Sequence, residues 1–289
     1  MRWFVERFPV SVYFVLACAV SWTFWVPLAM AAHGSGTIVI PYQHYFGAFG
    51  PILAALLMTA AISGRSGVKE LGRAMLRWRV DARWYLFALL GPVLLYMAGA
   101  VGVGLSGGDW GAIAQFGRSD EFPGLGLIGV WLLQTLTFGI GEEAGWRGFA
   151  LPRLQSRHNA LSATLRLTLF WACWHIPVFF YRPGYAGMGP GEITGWFFSL
   201  LTGAILLTWL FNSSRGSILI VALFHGCIDV AFTSGTAGAA VMNTMGFLTV
   251  IWAITVLVAT GPRDLSGHGR QQVHAAGPAR EPAAASRHD

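Results

Sequence analysis

The sequence predicts an all-α, polytopic transmembrane helical bundle of about eight spans, with an active site in its membrane-embedded core. Three observations carry that prediction. Hydrophobic residues fill 55% of the 289 positions and charged residues only 11%, with a mean hydropathy of +0.56, far from the balance of a water-soluble domain. The apolar runs approach the ~20 residues a helix needs to cross lipid and lack period-two alternation, so helices, and not a closed barrel, satisfy the backbone. Ionisable side chains nevertheless recur inside three of these runs, where each costs ~2.5–3.5 kcal/mol on insertion scales and therefore needs a reason.

Taken in order, residues 1–7 form a short basic start, and a first span covers about 10–30. That span is too long for a signal h-region and lacks a small-residue cleavage pattern, so it reads as a retained helix. A loop over 33–44 leads to a second span at 45–63, with Pro51 as a tolerated kink. Residues 64–83 gather Arg65, Lys69, Arg73, Arg77, Arg79 and Arg83 against Glu70 and Asp81, a composition suited to anionic headgroups and not to nucleic acid. A third span (84–105) and a loop (106–124) precede a fourth span at 125–150. The fifth (161–181), sixth (193–211), seventh (217–232, short for a full crossing) and eighth (241–260) follow, and 262–289 reads as a polar, disordered tail. The resulting organisation is an N-terminal unit of three spans (1–124), a core (125–232), a last span (233–261) and the tail.

Eight spans put both termini on one side. With that side cytoplasmic, the outer loops retain only Arg118 and Arg182 while the other loop and tail arginines collect inside, as the positive-inside rule requires. An integral, multi-pass protein of the cell membrane is the expected localisation, with the bilayer as a partner and no nucleic acid. Cys18, Cys173 and Cys227 all fall in apolar runs and form no Cys-x-x-Cys pair, so neither a disulfide framework nor a cysteine zinc site is expected.

The polar residues inside the apolar runs point to chemistry. In the run from Gly141 to Arg147, Glu143 and Arg147 stand four apart and can meet on one helix face, while Glu142 projects about 100° away. His175 lies among Trp171, Trp174 and Pro177, and His225 stands four residues before Asp229. With Pro152, Arg166 and Arg215 as markers of the cytoplasmic interface, Glu142, His175 and His225 are expected roughly 13–15 Å inside, at one level. A buried carboxylate can act as general base toward water, with His175 holding or shuttling the proton and His225, steadied by Asp229, serving the oxyanion. Glu143 and Arg147 read equally well as a helix lock. Two histidines and one carboxylate are also a hydrolytic zinc set, so metal-activated and Glu142-activated water both stay open. The sequence carries neither a Gly-x-Ser-x-Gly elbow nor a His-Glu-x-x-His helix.

Glu142-Glu143-Ala144-Gly145-Trp146-Arg147, the Trp171-x-x-x-His175 run and His225-x-x-x-Asp229 together resemble the CPBP family of intramembrane proteases, which includes CAAX prenyl endopeptidases and bacteriocin-linked Abi proteins. The resemblance covers about 125–232. It implies an endopeptidase acting on membrane-associated peptides or proteins, in a family described both as metal-dependent and as glutamate proteases without metal. Position by position, it implies that Glu142 and His175 activate water, that His225 and its partner Asp229 stabilise the oxyanion, and that Glu143 and Arg147 support the site. A zinc ion on Glu142, His175 and His225 is the metal-dependent version. Trp171 stands where the family commonly has Phe, and Asp229 where it often has Asn. An ionised Asp cannot donate a hydrogen bond, which makes orienting His225 its expected task. The readings from other classes are a proton-coupled transporter using the same relay and a non-catalytic bacteriocin-immunity protein.

Overall fold

The computed structural model describes residues 2–234 and 238–273, and every regular element among them is helical. The elements are α1 (Arg2–Arg7), α2 (Pro9–Ala32), α3 (Gln43–Gly47), α4 (Gly50–Met75), α5 (Ala82–Leu105), a short 3₁₀ turn, α6 (Leu127–Gln134), α7 (Gly141–Gly145), α8 (Leu151–Gln155), α9 (Ala160–Trp174), α10 (Pro190–Ser213), α11 (Ile218–Phe232) and α12 (Gly238–Thr260). The chain is a polytopic helical bundle. Among the described residues, six segments are long and apolar enough to cross a membrane: Pro9–Ala32, Gln43–Met75, Ala82–Leu105, Ala160–Phe180, Pro190–Ser213 and Gly238–Thr260.

The two expected spans outside that set are the two that carry most of the ionisable residues. α11 has only 15 residues. The stretch 127–155 is helical throughout but alternates α6, α7 and α8 with two π-helical stretches, Thr135–Ile140 and Trp146–Ala150. Wide π turns are uncommon and concentrate where a helix serves a site. The sequence periodicity does not announce them, because each shifts the helix face by one residue without interrupting the apolar run.

Packing around 127–155 is set by close backbone approach. α7 lies against α4, and the first π stretch lies against α11. A Cβ at Gly145 would stand 2.6 Å from the Pro51 carbonyl oxygen, and one at Gly139 would stand 2.5 Å from that of Ala222. Small residues at these crossings let the site-bearing helix touch two neighbours at once. α4 itself turns at Gly64, whose φ of +60° interrupts the helix, so the basic stretch that follows leaves the axis of the span.

Polar contacts collect at the two ends of the bundle. At one end, Gln155 and Asn212 exchange amide hydrogen bonds of 3.1 and 2.8 Å, and residues 262–273 dock on them. Gln155 Nε2 donates to Gln271 O and Asn212 Nδ2 to Asp264 O, Leu265 is fully buried, and the free amides at the start of α9, Ala160 and Leu161, donate to Arg263 O and Pro262 O, which satisfies helix-terminal donors that have no intrahelical partner. The expectation of a disordered tail therefore does not hold over 262–273: one apolar side chain and several amide partners give this polar stretch enough to order it. Residues 274–289 lie outside the described residues. At the opposite end, Arg182 makes a bidentate pair with Glu121 (2.9 and 2.7 Å), and Tyr45 donates to the same carboxylate at 2.7 Å. This ties the loop before α6, the loop after α9 and α3 together.

Two outcomes follow. Gly145→Ala should lower stability in detergent by about 1–3 kcal/mol, read from thermal unfolding, because the new methyl group would meet the Pro51 backbone as well as the hydroxyl of the fully buried Tyr13. Partial burial alone would raise the Glu121 carboxyl, but the hydrogen bonds from Arg182 and Tyr45 and the Arg182 charge hold it below the usual range. The pair therefore stabilises the fold above the ordinary carboxylate pKa of about 4.3 and loses that contribution as pH falls through the depressed folded value. Glu121→Gln should melt lower than wild type at pH 7, by about 1 kcal/mol or less for so exposed a pair, and the gap should close in acid.

Candidate active site

Adjacent positions on a helix face different neighbours, and Glu142 and Glu143 use this fully. Glu143 is completely buried and points toward α11: its Oε1 accepts from Arg147 Nη1 at 2.8 Å and from His225 Nδ1 at 2.7 Å. Arg147, also completely buried, lies over the Trp171 ring with its guanidinium carbon 5.1 Å from the centroid. Glu142, 2% exposed, points toward α9: its Oε2 accepts from the indole N–H of Trp171 at 2.7 Å and of Trp146 at 3.1 Å. Both bonds fall on one oxygen, which leaves Oε1 without a protein partner among the described residues.

α9 ends at Trp174 because Pro177 cannot continue the helix. His175 occupies that corner. Its Nδ1 lies 2.8 Å from the Trp171 carbonyl oxygen. A carbonyl only accepts, so Nδ1 carries the proton and Nε2 presents a lone pair. The same logic applies to His225, whose Nδ1 donates to the Glu143 carboxylate. Its Nε2 lies 3.7 Å from Asp229 Oδ2, too far for a hydrogen bond.

Trp171 brings the set together. Its indole N–H holds Glu142, its carbonyl holds His175, and its ring centroid lies 5.9 Å from that of His175 and 5.6 Å from that of His225. All the residues singled out in the sequence, Glu142, Glu143, Arg147, Trp171, His175, His225 and Asp229, thus belong to one cluster spanning 127–155, α9 and α11. The expectation that Asp229 orients His225 needs one change. Glu143, on another helix, makes the short bond to the imidazole, and Asp229 sits beside the other nitrogen.

The donor set bears on the zinc question. The bonds to Glu142 Oε2 and to Nδ1 of His175 and His225 leave Glu142 Oε1 and both Nε2 atoms as donors, but among the described residues no three of His, Cys, Asp and Glu are grouped closely enough to hold a metal ion. Glu142, His175 and His225 therefore do not form a ready-made three-ligand site. Two clefts of about 450 and 520 Å³ lie away from the cluster, one lined by Ala60, Gly64, Arg65, Val68 and Lys69, the other by Arg77, Arg215, Gly267, His268 and Gln271.

The sequence reading missed two contributors. Trp146 stands four residues after Glu142, and the spacing that paired Glu143 with Arg147 would have paired these two as well. His44, at the start of the second membrane segment, stacks on Trp25, which in turn reaches His175. Nothing local in the sequence marks it.

Residues 124–231 match the family described as "Type II CAAX prenyl endopeptidase Rce1-like". The chain is also 31% identical over 131 residues to a protein of Methanococcus maripaludis named "CAAX prenyl protease 2", an alignment covering 42% of this chain and 46% of that relative. The similarity to that relative thus spans somewhat under half the length of each protein, and the family match over 124–231 contains the whole cluster described above.

Arg147→Met should destabilise the fold by about 3–5 kcal/mol, since it leaves the Glu143 carboxylate buried with only His225 beside it. Denaturation of the two purified proteins in the same detergent measures this.

Proposed function

We propose that this chain, whose residues 124–231 match the Rce1-like endopeptidase family, is an intramembrane endopeptidase of the CPBP type that hydrolyses membrane-associated peptides or proteins. The observation that carries the reading is the gathering of Glu142, His175 and His225 around Trp171. A transport relay does not require a carboxylate with one oxygen fixed by two indoles and the other left open, whereas activation of a single water does.

In the proposed mechanism, Glu142 Oε1 and His175 Nε2 are the acceptors that hold the attacking water. As the water oxygen forms its bond to the peptide carbonyl carbon, Glu142 takes the proton. The carbonyl oxygen gains the electron pair and is met by Nε2–H of His225 in its protonated form, held in place through Nδ1 by Glu143 and flanked by Asp229. Collapse of the tetrahedral intermediate breaks the C–N bond, and Glu142 returns its proton to the leaving amine. The two indole donors oppose rotation of the Glu142 carboxylate, so the base is positioned before the substrate arrives. Metal-free hydrolysis follows from this scheme.

In this reading the end of the bundle that gathers Gln155, Asn212 and the docked stretch 262–273 faces the cytoplasm, an orientation that the excess of loop arginine supports. Substrates then come from proteins held at the cytoplasmic face, of which prenylated CAAX-type chains are one class.

The test is cleavage of a quenched membrane-peptide library by detergent-purified wild type and Glu142→Ala, with and without a strong chelator. Cleavage by wild type that persists in chelator and falls at least a thousandfold in the variant is the expected result. Loss of wild-type activity to chelator would overturn the metal-free scheme, and flux of protons in liposomes without any cleavage would overturn the endopeptidase.

A further inference from the structure

His44 lies in the first turn of α3 and packs against groups that adjoin the site. Its ring stacks on Trp25 at 5.5 Å and 18°, and its carbonyl accepts from the Trp25 indole at 2.8 Å. It also meets the ring of Phe138, which lies four residues before Glu142, at 5.6 Å. Trp25 reaches on to Trp174 at 4.4 Å and to His175 at 6.5 Å. The imidazole is thus separated from His175 by one indole ring, which keeps it out of reach of a water held by Glu142 and His175.

One nitrogen is fixed and the other is not. Nδ1 lies 2.6 Å from the hydroxyl of Tyr181, while Nε2 meets no protein partner among the described residues. With the phenol donating to Nδ1, the ring proton resides on Nε2. His44 is half-buried and Nε2 is not among the enclosed side-chain atoms that lack a partner, so this nitrogen is an accessible donor without a protein acceptor. A peptide drawn into the site brings the converse problem. Its main-chain carbonyls leave water and need donors, and the groups assigned above serve only the scissile one.

Resting on the endopeptidase reading, we infer that His44 is a substrate-positioning residue that donates from Nε2 to a main-chain carbonyl of the bound peptide next to the scissile bond. Tyr181 fixes the tautomer and Trp25 and Phe138 fix the ring plane, so the donor is oriented before binding. The bond is made equally in the ground and transition states, and its loss appears in KM and not in kcat.

The experiment compares wild type, His44→Phe, His44→Gln and Tyr181→Phe on the best peptide found in the library, with Glu142→Ala as the control for the chemistry. His44→Phe keeps the stacking on Trp25, and its melting temperature in detergent is measured alongside. The expected result is a KM raised about five- to tenfold in His44→Phe, the worth of one hydrogen bond, with kcat within twofold. His44→Gln, which retains a donor, should recover most of the loss, and Tyr181→Phe should lie between. An unchanged KM in a folded His44→Phe, or a fall in kcat at constant KM, overturns the positioning role while leaving the endopeptidase standing. No cleavage by wild type, or full cleavage by Glu142→Ala, overturns the endopeptidase and this assignment with it.

Discussion

The site depends on one carboxylate oxygen. Glu143 Oε1 accepts from Arg147 within its own helix and from His225 on α11, in a place from which water is excluded. A buried ion pair adds little net stability once desolvation is counted, but the loss of either partner leaves a charge stranded. Its value here is therefore geometric. It fixes the rotation of 127–155 about its axis relative to α11, and that rotation turns the neighbouring residue, Glu142, toward α9. The Arg147 guanidinium, lying on the Trp171 ring, carries the same constraint to the third helix.

How much of this was legible in the sequence divides along the range of each contact. The helical bundle and the Glu143–Arg147 pair rest on hydropathy and four-residue spacing, and these are local. The short bond from His225 to Glu143 crosses 82 positions, and no spacing rule links them. Asp229, four residues from His225, looked like the natural partner because only the local alternative was visible. The π-helical stretches were hidden for a different reason: Gly139 and Gly145 signal close packing, but the identity of the backbone they pack against belongs to other helices.

The beginning of the tail shows how a weak composition signal is overridden. Residues 262–273 are polar and glycine-rich, yet they meet amide donors and acceptors already facing them at the ends of α8, α9 and α10. A helix end inside a bundle has unsatisfied groups by construction, and a nearby polar segment is the simplest way to satisfy them. His44 makes the same point at the opposite end, where a loop residue in the sequence is a wall of the site in the fold.

The indole cage around Glu142 has an optical consequence. The transition energies of Trp146 and Trp171 depend on the field at their N–H groups, and both N–H groups end on the same carboxylate oxygen. Adding or removing a proton there changes the charge a few ångströms from two chromophores. The protonation state of this one acid is therefore written into the near-ultraviolet spectrum of the protein, where it can be followed without a label.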